Sequence, residues 1–257
     1  MGSAGVTASL ARRRLGTAGP WPARLDLLQA GTGLALGLFM WVHMLFVASI
    51  LLGKDAMWAV TKFFEGYFFF GRSYPAIVAA LVAVIIGLLV VHAGIAMRRM
   101  PSSYRQWCAF REHAAMLRHD DTRLWGWQVA TGFALFFLAS VHLYTMLMHP
   151  AEIGPYASSD RVWTGRMWPL YLALLVAVEV HGGIGLYRLA VKWDWFGAAG
   201  SSDARRRLRR FKTGLTAALL LLGLATLAVY AVIGYQHRDR AGERYVPASA
   251  WLRGGGS

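Results

Sequence analysis

The chain has 257 residues, of which 56% are hydrophobic and 16% are charged, and its mean hydropathy is +0.41. Several runs of about twenty residues are almost free of charge, which a soluble domain does not require, so the sequence predicts a polytopic membrane protein. The net charge of +14 does not indicate nucleic-acid binding, because Lys and Arg cluster in short segments between the apolar runs. The single cysteine, Cys108, excludes an intrachain disulfide, and no cysteine pair offers an iron–sulfur or zinc site.

Hydropathy predicts five transmembrane helices in a single membrane domain. In chain order they are expected at about 25–52, 74–98, 122–148, 167–191 and 213–235. Residues 1–24 would form a leader, which lacks the apolar core and cleavage site of a signal peptide, and residues 236–257 would form a tail. The predicted fold class is therefore an all-α membrane protein, a five-transmembrane-helix bundle.

The distribution of basic residues predicts the orientation of this bundle. Five spans put the termini on opposite sides, and two thirds of the 27 Lys and Arg residues fall on the side of the N-terminus. The positive-inside rule then makes the N-terminus cytoplasmic. On that side, basic and apolar residues alternate at helical spacing over about 105–118, which predicts an amphipathic interfacial helix, with a solvated basic loop as the alternative.

Four of the predicted helices carry one histidine each, at His43, His92, His142 and His181. Each lies past the middle of its helix, and successive helices run in opposite directions, so His43 and His142 should share the outer layer and His92 and His181 the inner layer. Two imidazoles at one depth can ligate the iron of a haem standing between helices. The pattern predicts two stacked bis-histidine haems, and the alternative is a set of pore-lining, proton-relay or helix-crossing histidines.

Two carboxylates also lie in apolar surroundings. Glu179 precedes His181 by two residues in the fourth span, and Glu65 lies in an aromatic segment between the first and second spans. A carboxylate within a membrane span costs free energy and by default indicates function.

These residues together resemble the cytochrome b subunit of the succinate:quinone oxidoreductase superfamily, in its five-helix, dihaem form found in menaquinol:fumarate reductases. The resemblance covers nearly the whole chain. It depends on the four histidines, 49, 50 and 39 residues apart, on Glu179 beside His181, and on Glu65 in its aromatic segment.

The resemblance implies a role for each of these residues. Two b-type haems are expected, a proximal one on His92 and His181 and a distal one on His43 and His142. Glu65 would accept a proton from menaquinol, and Glu179 would carry a proton across the membrane. Candidate contacts for the haem propionates are Gln29, Trp125 and Lys192, with Arg161 as a weaker candidate, although each could be an ordinary interfacial residue.

The resemblance also implies a complex in the bacterial cytoplasmic membrane. A flavoprotein with covalent FAD would reduce fumarate, and an iron–sulfur subunit would connect it to this membrane anchor, in a heterotrimer that could pair into a dimer. Menaquinol would be oxidised to menaquinone near the outer layer, and its electrons would pass through the distal and then the proximal haem.

Two other functions stay open at this point. Within the same class, the chain could serve a succinate:quinone reductase or another respiratory complex such as a hydrogenase, because the ligand pattern does not fix the direction of turnover. In a different class, it could be a haem-free proton-coupled transporter, which a reduced-minus-oxidised spectrum would distinguish.

Overall fold

The computed structural model describes residues 19–98, 100, 103–106, 108–109, 112 and 120–247. Most of the predicted leader, most of the predicted amphipathic helix at about 105–118 and the end of the tail lie outside these residues. The described part is helical and contains no strand. Its helices are α1 (Trp21–Val47), α2 (Lys54–Phe64), α3 (Tyr67–Phe70), α4 (Pro75–Met97), α5 (Asp120–Met148), α6 (Pro155–Val162), α7 (Trp168–Lys192) and α8 (Ser202–His237).

Five of the described segments are long and apolar enough to cross a membrane, which confirms the predicted fold class. They are Trp21–Leu52, Pro75–Met97, Arg123–Met148, Trp168–Lys192 and Ser202–Arg240, with mean hydropathies between 1.6 and 2.8. Between the long helices, α2, α3 and α6 are short helices on the side opposite to the start of α1. We call the side where α1 begins the N-terminal face and the other side the opposite face.

Local sequence signals explain where the helices begin. Proline occupies one of the first two positions of α1, α4, α6 and α7, where its fixed φ favours the first turn and its missing N–H removes no helical hydrogen bond. The side chain of Ser201 caps α8 by accepting a hydrogen bond from the backbone N–H of Ala204 at 3.3 Å. This cap makes α8 begin at Ser202, about three turns before the predicted start, so its first turns are basic rather than apolar.

The four helices that carry the predicted haem ligands form a closed ring. Helix α1 contacts α4, α4 contacts α5, α5 contacts α7, and α7 returns to contact α1. Helix α8 packs against α7 outside this ring. The ring therefore surrounds the four histidines, and α8 covers the outer side of α7.

Small residues let α8 approach its neighbours closely. A Cβ atom at Gly183 would collide with the Thr216 hydroxyl, and one at Gly223 would collide with the side chain of Leu175. Close backbone approach of this kind drives helix association where lipid removes the hydrophobic contribution between helices. Near the opposite face, a small buried cluster of Ile50, Met57, Val162 and Tyr230 ties α2 and α6 to α8.

Candidate functional site

The four histidines lie in two pairs at different depths. The ring centroids of His43 on α1 and His142 on α5 are 6.4 Å apart, and this pair lies toward the opposite face. The ring centroids of His92 on α4 and His181 on α7 are 6.5 Å apart, and this pair lies toward the N-terminal face. The pairs are the same ones that the depth argument predicts.

Both separations fit an iron atom held between two imidazoles. With metal–nitrogen bonds of about 2 Å and ring centres about 1 Å beyond each nitrogen, two axial imidazoles have centroids about 6 Å apart. One nitrogen of His142 is buried without a hydrogen-bond partner among the described residues, so the chain leaves it available to another group. Two facing imidazoles at each of two depths are the donor set of a bis-histidine haem protein.

The rings near the N-terminal face are fixed by hydrogen bonds to main-chain carbonyls. Nδ1 of His181 donates to the carbonyl oxygen of Gln128 at 2.9 Å, with the Thr131 hydroxyl 3.4 Å away. His92 has the Gln29 backbone as its partner, and its Nδ1 lies 3.3 Å from the Thr32 hydroxyl. A carbonyl acceptor puts the proton on Nδ1, and the lone pair of Nε2 is then available to a metal.

Glycines give these two rings their space. A Cβ atom at Gly132 would lie 2.9 Å from Cε1 of His181, and one at Gly33 would lie 2.9 Å from Cε1 of His92. Real Cβ atoms do not approach so closely, so a larger residue at either position would move the ring. The two rings thus have matching surroundings on α1 and α5.

An internal repeat explains the match and reveals residues that the sequence analysis missed. Helix α1 contains Gln29, Thr32 and Gly33 in the pattern Gln-x-x-Thr-Gly-x-Ala-Leu, and its Gly lies ten residues before His43. Helix α5 repeats the pattern with Gln128, Thr131 and Gly132, and this Gly lies ten residues before His142. The repeat could have identified Thr32, Gln128 and Thr131 as hydrogen-bond partners. Helices α4 and α7 likewise share the pattern Val-His-x-Gly-Ile around their histidines.

The predicted propionate contacts lie near the helix ends at the N-terminal face. Oε1 of Gln29 is buried without a hydrogen-bond partner among the described residues, whereas Oε1 of Gln128, its repeat counterpart, accepts from Arg188 at 2.6 Å. Trp125 is half-buried near the start of α5. Lys192 forms an ion pair with Asp26, which joins the end of α7 to the start of α1.

A cavity of about 550 Å³ lies at the opposite face, between α2, the end of α5, α6 and the tail. This volume is typical of small-molecule sites. Glu65 lines it with a side chain that is only 3% exposed, and Oε2 of Glu65 accepts a hydrogen bond from Nζ of Lys62 at 2.6 Å. Lys62 also donates to the Ser73 hydroxyl at 2.8 Å, so an ion pair anchored to the α3–α4 segment holds the carboxylate at the cavity wall.

Arg161 lines the same cavity from α6. Its guanidinium donates to the carbonyl oxygen of Glu152 and hydrogen-bonds the side chain of Tyr171. The ring of Tyr171 is 5.6 Å from that of His142, centroid to centroid, at an interplanar angle of 79°. A short chain of contacts therefore links the cavity to the His43 and His142 pair.

Glu179 lies in the interior of α7. It is 1% exposed, and neither of its carboxyl oxygens has a hydrogen-bond partner among the described residues. A buried carboxyl group without partners is destabilising, so it indicates a role that packing does not supply.

Comparisons with known proteins agree with the resemblance found in the sequence. A profile of the family described as succinate dehydrogenase/fumarate reductase transmembrane subunit matches residues 108–224. The chain is 50% identical over 218 residues to the fumarate reductase cytochrome b subunit of Wolinella succinogenes, an alignment that covers 85% of each chain. It is 48% identical over 217 residues, 84% of each chain, to the fumarate reductase cytochrome b subunits of two strains of Helicobacter pylori.

Proposed function

The chain belongs to the succinate dehydrogenase/fumarate reductase transmembrane subunit family, and on that premise we propose that it is the dihaem cytochrome b of a menaquinol:fumarate reductase. The observation that carries this proposal is the presence of two imidazole pairs with centroids 6.4 and 6.5 Å apart at two depths of one helix ring. His43 and His142 would hold the distal haem, and His92 and His181 the proximal haem. When bound, the two haems supply one-electron redox chemistry within the membrane.

The chain's own residues bind and deprotonate the quinol in this proposal. Menaquinol occupies the cavity at the opposite face, where Glu65 takes a proton from one of its hydroxyl groups onto a carboxylate oxygen. Lys62 orients that carboxylate through the 2.6 Å ion pair. Support comes from the position of Glu65, which is withdrawn from solvent yet lines a cavity of suitable volume.

The remaining polar residues have supporting roles. Gln128 and Gln29 fix the proximal rings through main-chain carbonyls, and the side chain of Gln29 has a buried oxygen still available to a ligand. Lys192 and Trp125 lie at the same face, where propionates would project, and Lys192 would exchange its Asp26 partner for a propionate or share it. Glu179 carries a proton across the membrane.

The partners follow from the family and from the charge of the chain. The basic N-terminal face is the cytoplasmic face of a bacterial inner membrane, and it contacts an iron–sulfur subunit that connects to a flavoprotein carrying covalent FAD. Excess Lys and Arg on that side supports this orientation. A dimer of such heterotrimers is the expected assembly.

Purification of the complex from membranes tests the whole proposal. We expect two b-type haems per copy of this chain and fumarate reduction driven by a water-soluble naphthoquinol. Absence of b-type absorbance would leave the histidine pairs without their proposed ligand. If the complex turned over only with succinate and a naphthoquinone, its function would be succinate oxidation and the proposed fumarate reduction would be wrong.

A further inference from the structure

A second carboxylate lines the quinol cavity and is withdrawn from water. Asp160 lies on α6, and its side chain is 13% exposed. Its Oδ1 accepts a hydrogen bond from Nδ1 of His237 at 2.9 Å, and its Oδ2 accepts one from the backbone N–H of Gly242 at 3.0 Å. The carboxylate therefore joins α6, the end of α8 and the tail at the rim of the cavity.

The imidazole of His237 is held rigidly beside this carboxylate. Its side chain is 2% exposed, and its ring stacks on that of Tyr156 with centroids 4.0 Å apart and an interplanar angle of 15°. Tyr156 also lines the cavity. Nε2 of His237 is buried without a hydrogen-bond partner among the described residues, so the ring has an unused proton-binding nitrogen. Asp160 and His237 thus form a buried carboxylate–imidazole pair, in which Asp160 lines the cavity and His237 lies behind it.

The other carboxylates and the other imidazole that line the cavity are more exposed. The side chains of His149 and Glu152, which lie 3.2 Å apart, are 54% and 60% exposed, and that of Glu243 is 57% exposed. Solvated groups of this kind exchange protons with water rather than with a bound hydroxyl group. Of the described carboxylates that line the cavity, Glu65 and Asp160 are the two that are mostly buried.

The proposed reaction releases two protons. Oxidation of a quinol to a quinone breaks two O–H bonds and removes two electrons, which leave one at a time to the ferric acceptor that the proposed function supplies. Glu65 receives one proton as a new O–H bond. A second base within reach of the bound quinol could take the other proton before Glu65 has released the first.

We propose that the Asp160–His237 pair is the acceptor of this second proton. This inference rests on the proposed quinol oxidation. The second quinol O–H bond breaks, and the pair gains one O–H or N–H bond, so the proton is fully accounted for. The proton then leaves to water at the open side of the cavity.

Variants of the intact complex in membranes test this role with a water-soluble naphthoquinol as donor. General acid–base catalysis contributes about 10²- to 10⁴-fold, so Asp160→Asn should lower kcat for quinol oxidation by about 100-fold or more while KM stays unchanged. His237→Gln keeps a hydrogen-bond donor for Asp160 but cannot take up a proton, and it should also lower kcat. In both variants, fumarate reduction by reduced viologen and the haem spectrum should match those of the parent complex.

Two further variants separate catalysis from structure. Asp160→Ala should regain quinol turnover when formate is added, because a small carboxylate can enter the space of the missing side chain. Asp239→Asn, at an 83% exposed aspartate near the same end of α8, should leave turnover unchanged. A raised KM with normal kcat in Asp160→Asn and His237→Gln, or no effect of formate, would assign the pair to packing of the rim and overturn the proposal.

The same measurements distinguish this inference from the proposed function. If Glu65→Gln stops quinol oxidation while Asp160→Asn and His237→Gln turn over at the parent rate, quinol oxidation stands and the second acceptor is wrong. If the parent complex does not oxidise the naphthoquinol, the proposed function itself is wrong.

Discussion

A Cβ atom at Gly132 would lie 2.9 Å from Cε1 of His181, and Gly33 stands in the same relation to His92. These contacts involve the rings that are proposed to bind iron, which cannot move aside and still ligate it. We therefore expect Gly132→Ala and Gly33→Ala to lose the proximal haem or to weaken its binding strongly, while the distal haem remains. Haem content and reduced-minus-oxidised spectra of the purified complex measure this effect.

Matched controls exist on the same two helices. A Cβ atom at Gly31 or at Gly126 meets nothing within 4 Å, so Gly31→Ala and Gly126→Ala should retain both haems. Equal haem loss in all four variants would mean that the glycines act through helix stability. Full haem content in Gly132→Ala would contradict the proposed ligation by His181.

The pairing of the histidines predicts two groups of variants. Replacing His43 or His142 by Ala should remove or shift one haem signal, and replacing His92 or His181 should remove or shift the other, because each iron needs both of its axial imidazoles. Redox titration of the complex in membranes resolves the two signals. Loss of the same signal in His43→Ala and His92→Ala would show that the pairing is wrong.

Glu65 is expected to be essential for quinol chemistry and dispensable for assembly. Glu65→Gln keeps the size of the side chain and can still hydrogen-bond Lys62, but it cannot accept a proton, so naphthoquinol oxidation should fall by about 100-fold or more. Haem content and viologen-driven fumarate reduction should be normal. Glu65→Asp serves as the control and should retain part of the turnover, whereas a failure of Glu65→Gln to assemble would favour a structural role.

Lys62 should act through Glu65. Because its ammonium holds Oε2 of Glu65 at 2.6 Å, Lys62→Met removes a charged hydrogen bond to a side chain that is 3% exposed, and we expect quinol turnover to fall about tenfold. Lys62→Arg should restore most of it. If Lys62→Met lowers turnover equally in a Glu65→Gln background, the two residues act independently and the positioning role is wrong.

Hydropathy and charge were sufficient to predict the five-helix all-α fold class. A helix that crosses lipid must be long and apolar, so each span can be recognised as a long run of apolar residues. The start of α8 was predicted too late. Its first turns are basic, so hydropathy does not detect them. The Ser201 side chain nevertheless caps the helix there by accepting a hydrogen bond from the backbone N–H of Ala204. Short-range capping was the better signal there.

The depth argument for the histidines needed only helix direction and position along each span. The partners of the rings were harder to predict, because a main-chain carbonyl such as that of Gln128 has no sequence signature of its own. The repeated Gln-x-x-Thr-Gly pattern carried that information. The burial of His237 against Asp160, 77 residues away in the chain, depends on how α6 packs on α8, and no pattern within either segment indicates it.

Charge balance across the membrane gives Glu179 its proposed role. In the proposed reaction, oxidation of menaquinol would release protons at the opposite face and fumarate reduction would consume protons at the N-terminal face, so electron transfer alone would dissipate the membrane potential. A proton that crosses in the same direction as each electron cancels this charge movement. Glu179 is 1% exposed and has no described hydrogen-bond partner, so the chain offers it as a proton-binding group within a membrane span.

Glu179→Gln keeps the volume of this side chain and removes its ability to bind and release a proton. We therefore expect the variant complex to retain both haems, their redox midpoints and viologen-driven fumarate reduction, and to lose most of its naphthoquinol-driven turnover. Glu179→Asp retains a titratable carboxyl group and should keep part of that turnover. A carboxyl group that only packs against a haem predicts the reverse pattern, with shifted midpoints or lost haem and quinol turnover in proportion to the haem that remains. Parent-like turnover in Glu179→Gln would exclude Glu179 from proton transfer, and the compensating proton would then have to cross through another part of the bundle.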